Sequence, residues 1–304
     1  MEYRPEGCLF MTESNQKYLS SAAALKDAMK EGIILEAKAI LCTSSHDLVI
    51  GLPCGKGLIP REEGAVGIKE GTVRDIALIS RVNKPVCFKV CSVSESPGGV
   101  IAILSRRAAQ EECISSYIRH LVPGDIIDAR VTHLEKFGCF ADIGCGIPSL
   151  MPIDAISVSR ISHPSDRFRT GEMIRAAVRS REGERVSLTQ KELLGTWEEN
   201  AAGFHAGETV PGIVRSVEEY GVFVELTPNL AGLAELKENI HPGQSVSVYI
   251  KAVIPEKMKI KLVIVDVCDD EAKPAEPVYF YNGSHISEWI YSSAGSQRRI
   301  AEYF

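Results

Sequence analysis

Residues 124–144, GDIIDARVTHLEKFGCFADIG, and residues 207–227, GETVPGIVRSVEEYGVFVELT, align without a gap eighty-three positions apart. Five positions are identical: Gly124 with Gly207, Val131 with Val214, Glu135 with Glu218, Gly138 with Gly221 and Phe140 with Phe223. Each copy encodes a strand, a turn containing glycine, and a second strand. Each also presents two aromatics three residues apart, Phe137 with Phe140 and Tyr220 with Phe223. A chain that repeats in this way folds each copy as one supersecondary unit. A duplicated β-unit with paired aromatics reads as a tandem binding module.

A fainter third copy begins at Gly32, ninety-two residues before the second. Gly32, Glu36, Ala37 and Lys38 match Gly124, Asp128, Ala129 and Arg130, and in the same register GLIP at 57–60 falls on SLMP at 149–152. At this offset Ser45 and Leu48 occupy the aromatic positions, so the first copy keeps the scaffold without the platform. The middle copy closes with a strand at 173–180, a turn at Glu182 and Gly183, and a strand at 185–188. The last closes similarly, with strands at 246–253 and 259–265. Five strands in about 60–80 residues fit a five-stranded Greek-key barrel, the OB-fold. The fold class expected is therefore mainly β: three tandem OB-fold barrels, the first degenerate, with short connecting helices.

The boundaries expected are an N-terminal segment at 1–31, weakly structured to residue 16 and helical at 20–30, and barrels at 32–110, 123–192 and 207–267. A helical connector at 193–206 holds Trp197, expected as a packing anchor. An acidic linker starts at 268 and runs to 277, and an aromatic tail to 304 is expected to fold back as a strand and a terminal helix.

No apolar run approaches the about 20 residues that cross a bilayer, and the first residues lack a signal-peptide pattern, so the cytoplasm is expected. Nine irregularly spaced cysteines without a CxxC pair read as reduced, small apolar residues; Cys87 and Cys91, four apart in a strand, are expected on one face. The formal charge of −6 disfavours a general cationic field. It is uneven, however: 33–110 has ten basic against seven acidic residues, 123–192 has ten of each, and 207–267 has six against eight. A polyanion would have to be held by stacking and local basic strands.

The pattern of Gly-acid-x-Val, Tyr/Phe-Gly-x-Phe and then Gly-Leu resembles the RNA-binding module named after small-subunit ribosomal protein S-one. The match is clear for 124–192 and 207–267 and degenerate for 32–107. The order of modules and the Trp-containing connector are similar to the short, three-module form of Gram-positive anaerobes. The resemblance implies a platform on which unstacked bases rest, each stack contributing about 1–3 kcal/mol whatever the base. It also implies phosphate contacts from flanking basic residues: Arg130, Lys136, Arg179 and Arg185 in the middle module, and Arg215, Lys251, Lys257, Lys259 and Lys261 in the last. Phe140 and Phe223 fit a barrel interior equally well, and each basic residue taken singly also fits a solvated face. Glu218 and Glu219 beside Tyr220 would repel phosphate, which favours the middle module. Two family positions differ. A histidine after the Gly-Leu element is replaced by Pro152 and Glu235, and a strand aspartate by Arg181 and Pro255. His133 and His163 read as surface histidines.

The function implied is a non-catalytic RNA-binding protein that holds single-stranded RNA, mRNA above all, in translation, as a ribosomal or ribosome-associated component. The alternative is an RNA-binding regulator outside the ribosome, and a third reading is a protein-binding scaffold of degenerate barrels, which suits the first module. An enzyme is disfavoured, since the repeats occupy nearly all the length and no GxxxxGK[ST], HExxH or carboxylate cluster with metal-ligand spacing is present in the sequence. No metal or cofactor is expected.

Overall fold

The computed structural model describes residues 3–97, 99–271 and 277–304. Three closed five-stranded barrels follow one another along the chain. The first is built from β1 (Leu35–Cys42), β2 (Leu48–Leu52), β3 (Gly55–Ile59), β4 (Pro85–Ser96) and β5 (Gly99–Ser105). The second uses β6 (Ile126–Glu135), β7 (Gly138–Asp142), β8 (Pro148–Pro152), β9 (Met173–Glu182) and β10 (Arg185–Thr189). The third uses β11 (Thr209–Glu218), β12 (Gly221–Thr227), β13 (Leu230–Ala234), β14 (Gln244–Ile254) and β15 (Lys259–Glu271). In each barrel the third strand pairs parallel with the fifth, which closes the sheet.

The chain divides into two compact units. The first comprises the first barrel with its helices, together with Asp128–Arg130 and Asp142–Pro148. Its core collects Leu35, Ala37, Leu48, Ile50, Ile59, Phe88 and Leu104 from alternate strand positions, with Leu19 and Leu25 from α1 (Glu13–Leu19) and α2 (Ala22–Glu31). The weakly structured segment expected up to residue 16 contains the start of α1. Thr12 caps that helix, and buried Asn15 accepts from the Glu36 amide at 2.8 Å while donating to the Glu36 carbonyl at 2.8 Å. These partners lie across the fold, so local propensity does not reveal them. The helix expected at 20–30 is α2, capped by Ser21 and stopped by Gly32 in the left-handed region, as the sequence indicates.

Cys87 is buried and Cys91 exposed, contrary to the expectation of one shared face. A β-bulge between Val90 and Ser92 reverses the alternation. The expected match of Ser45 and Leu48 to the aromatic positions also shifts. Leu48 pairs with Ile59 as Val222 pairs with Ala234, whereas Phe223 pairs with Leu233 as Val49 pairs with Leu58. The turn of the first copy is one residue longer and a later loop one residue shorter, so the ninety-two-residue offset holds in β1 and again in β3 but not across β2. Val49 therefore stands where the other copies have Phe223 and Phe140.

The second unit comprises Val122–Ile127, Val131–Ala141 and Ser149–Phe304. The connector contains a short 3₁₀ turn (Lys191–Leu194) and a helix (Trp197–Ala201), separated by Gly195 at φ +86°. Trp197 is buried in the core of the third barrel beside Val214, Val222 and Leu230, the packing role expected of it. Of the acidic linker, residues 268–271 continue β15 and 272–276 lie outside the described residues. The tail does fold back, but as a hairpin of β16 (Glu288–Ile290) and β17 (Ala301–Tyr303) in place of the expected strand and helix. Ser292 fixes that hairpin, its Oγ donating to the Arg298 carbonyl and accepting from the Ile300 amide. Trp289 and Tyr291 of the tail join the third-barrel core. Among the described residues no helix is long and apolar enough to cross a membrane.

Candidate nucleic-acid interface

Strand geometry builds the same constellation twice. Gly138 sits at φ +157° and Gly221 at φ +151°. A Cβ at Gly138 would lie 2.3 Å from the Met151 carbonyl oxygen, and one at Gly221 2.5 Å from that of Ala234. Only glycine lets these strands approach so closely beside the turn. The close approach sets the preceding aromatic outside the barrel. Phe137 is 56% exposed and Tyr220 70%, while Phe140 and Phe223 are half-buried.

In the middle barrel the rings of Phe137 and Phe140 meet edge to face at 6.1 Å and 87°; in the last, Tyr220 and Phe223 meet at 6.1 Å and 89°. The second member of each pair is thus neither a core residue nor fully solvated. It contacts the first ring, which stays largely exposed. The Ile153 amide donates to the Phe137 carbonyl at 2.9 Å and holds the turn in place.

The sheet register sets what lies beside each platform. Phe223 neighbours Leu233, which neighbours Lys261. In the middle barrel Leu150 pairs with Ser187 in the position that Leu233 and Lys261 occupy. Arg185 and Lys259 are therefore equivalent, each two residues earlier on the closing strand. Leu150 and Leu233 were not singled out from sequence, although the Gly-Leu element contains Leu233; only the ladder shows that it links aromatic and basic residues.

The basic residues separate into those open to solvent and those already engaged. Lys136, Arg179, Arg185, Lys257, Lys259 and Lys261 are exposed. Arg179 lies 3.8 Å from Asp154 in a solvent-exposed pair, which costs little to exchange for phosphate. Lys251 is exposed but faces Glu235 at 3.3 Å. Arg215 does not fit its expected role. Its side chain is 9% exposed and grips Glu225 with two hydrogen bonds, of 2.7 and 3.1 Å, with Asp166 at 3.5 Å. Arg167 adds a further bond to Glu225 at 2.5 Å. Burial, together with the neighbouring Arg215 charge, holds the Arg167 pKa below its ordinary value although Glu225 favours the charged form. Arg130 belongs to the first unit, half-buried with its guanidinium 3.7 Å from Cys8 Sγ and close to Gly7, a placement that also sets it apart from the exposed cations. Of the three acids around Tyr220 and Phe223, Glu235 is partly neutralised by Lys251, whereas Glu218 and Glu219 are exposed.

One further polar group in this unit was absent from the sequence reading. Arg175 of β9 donates to the carbonyls of Tyr281 and Gly283, each at 3.0 Å, and lies 5.7 Å over the Tyr279 ring. It anchors the tail and is thereby removed from the set of cations open to a ligand.

Residues 121–189 match the family described as S1 RNA binding domain. The chain is 32% identical over 180 residues to small ribosomal subunit protein bS1 of Staphylococcus aureus, covering 53% of this chain and 46% of that protein. It is 28% identical over 209 residues to bS1 of Rhizobium meliloti, covering 62% of this chain and 36% of that protein. The chain thus spans half or less of the curated relatives it matches. A solved multidomain protein with nucleic acid binding domains from Streptococcus pneumoniae covers 77% of this chain at 12% identity. Its TM-score of 0.26 adds nothing to the assignment. Residues 121–189 are an S1-type module, and the chain is related to the bS1 proteins.

Proposed function

We propose, from the S1-type module at 121–189 and the second copy of its exposed aromatic pair, that the chain binds single-stranded RNA. It does so without catalysis, in the cytoplasm and in translation, at the small ribosomal subunit, with mRNA as its ligand. The observation that carries this reading is the repeated geometry of Phe137 on Phe140 and Tyr220 on Phe223. An exposed ring held edge to face against a half-buried one offers a flat apolar surface, and every unpaired base has a matching π-face. Duplex RNA hides those faces in its own stack.

Exposed Lys136, Arg179 and Arg185 then supply phosphate contacts in the middle module, and Lys257, Lys259 and Lys261 in the last. Such contacts position the strand without reading its sequence. The middle module is the stronger of the two because its platform is flanked by fewer unpaired acids. Binding of one RNA sequence as an open strand and as a hairpin, with and without chelator, tests the reading. The open strand is expected to bind more tightly in both conditions. Equal affinity for the hairpin contradicts a stacking platform, and cleavage of the RNA contradicts a non-catalytic role. Co-sedimentation with small subunits near physiological salt tests the place in translation; absence from that fraction supports a regulator outside the ribosome.

A further inference from the structure

We propose that the outer face of the first barrel docks an acidic amphipathic helix of another protein. The sheet register makes this face directly comparable with the platforms of the other two barrels. Leu41 pairs with Val49, Val49 with Leu58 and Leu58 with Ile103, giving one outward row across β1, β2, β3 and β5. In the third barrel the same row reads Ser216, Phe223, Leu233 and Lys261. Two residues earlier on the closing strand, Ile101 stands where Arg185 and Lys259 stand. The first copy has therefore exchanged its aromatic and cationic positions for aliphatic ones.

That face is open. Leu41 is 52% exposed and Ile101 48%, and Val49, Leu58 and Ile103 are half-buried. A surface relieved of a ligand needs no apolar side chains, and a contiguous, partly exposed apolar strip marks a site of association. The strip itself carries no ring for base stacking and no hydrogen-bond donor to phosphate.

The shape and charge around the strip identify the occupant. The barrel is closed, so no free edge is available for an added strand. Four neighbouring strands at about 4.8 Å give a strip roughly 15 Å long, matching about three turns of helix with apolar residues at 3–4 spacing. Along one side the adjacent row pairs Lys38 with Gly51, Gly51 with Lys56 and Lys56 with Ile101. Among the described residues, the exposed side chains of Lys38 and Lys56 make no hydrogen bond or ion pair. At the turn end the carboxylates are already engaged: Asp47 accepts from the Arg61 amide at 2.8 Å, and Asp75 pairs with Arg61 Nε at 2.7 Å. The row directly beside the strip presents the ammonium groups of Lys38 and Lys56, so the partner helix is acidic beside its apolar stripe.

Panning a random 16-residue peptide library against the full chain, with the Leu58→Asp/Ile101→Asp variant as counter-selection, tests the proposal. Peptides recovered on the native chain alone are expected to combine apolar residues at 3–4 spacing with an excess of Asp and Glu. Lys38→Glu/Lys56→Glu, which changes only solvated side chains, is expected to weaken the selected peptides at least tenfold and to favour basic ones. Enrichment of basic peptides on the native chain, or no peptide sensitive to the aspartate variant, overturns the proposal. So does concentration-dependent dimerisation abolished by Leu58→Asp/Ile101→Asp, which makes a second copy the occupant. Loss of single-stranded RNA affinity in that variant makes the face a nucleic-acid site instead and equally overturns it.

Discussion

Glu36 gives the first unit a pH dependence that can be worked from the structure. Its carboxylate is fully buried; Oε2 accepts from the amides of Gly7 and Leu9, each at 3.0 Å, and Oε1 has no partner among the described residues. Burial first, and then the nearby Glu6 charge, push its pKa from 4.5 up to about 7 against the pull of those amides. Asp142 is pushed up to about 7 by the same two causes. Glu6 moves the other way, because Arg106 and Arg81 outweigh its burial. Between 4.5 and 7 the native state keeps a proton on Glu36 that the unfolded chain has released, so stability falls as pH rises through that window. A shift of this size corresponds to on the order of 3 kcal/mol, or a few hundredfold in the opening equilibrium of this unit. Glu36→Gln keeps the acceptor for Gly7 and Leu9 and removes the charge. Hydrogen exchange of the β1 amides, corrected for intrinsic rates, reads the opening directly. The variant is expected to match the native protein near pH 4.5 and to be protected on the order of 100-fold more at about pH 8. The Asp142 contribution remains in both. Parallel pH profiles in the two proteins, or lower protection in the variant at about pH 8, refute the reasoning.

Two other consequences follow from the second unit. Replacing Glu225 by Gln leaves Arg167 and Arg215 buried with less countercharge, and is expected to cost about 3–5 kcal/mol in urea unfolding followed through Trp197 and Trp289; a loss below about 1 kcal/mol would show that the arginines find water or other partners. Arg185→Ala, at an exposed position, is expected to reduce the slope of log affinity against log salt by about 0.7 for single-stranded RNA. An unchanged slope would remove Arg185 from the phosphate contacts.

The repeat register carried most of the fold into view. Two copies with identical Gly and Phe positions located the turn between the first two strands of their barrels, because glycine at the turn is a local steric demand. What stayed hidden depended on pairing between distant strands. The compensating insertion and deletion around β2 preserve the offset that revealed the first copy, and they displace the match by one residue within it. The bulge at Cys91 breaks a two-residue alternation that sequence spacing takes as continuous. Arg215 reads as an ordinary surface cation until Glu225, Arg167 and Asp166 are brought around it by the fold. The tail is rich in aromatics, which indicated burial, but Ser292 and the pairing of Trp289 with Glu302 decide between hairpin and helix.

The central claim is that the two exposed rings hold unpaired bases. The measurement that addresses it most directly is the affinity of Phe137→Ala, Tyr220→Ala and the double variant for an unstructured pyrimidine-rich RNA long enough to span both modules. Each ring protrudes from its barrel, so the variants should keep native unfolding curves. Each single substitution is expected to weaken binding by about 1–3 kcal/mol, with Phe137 the larger and the double variant weaker than either. Native affinity in a folded double variant would contradict the account.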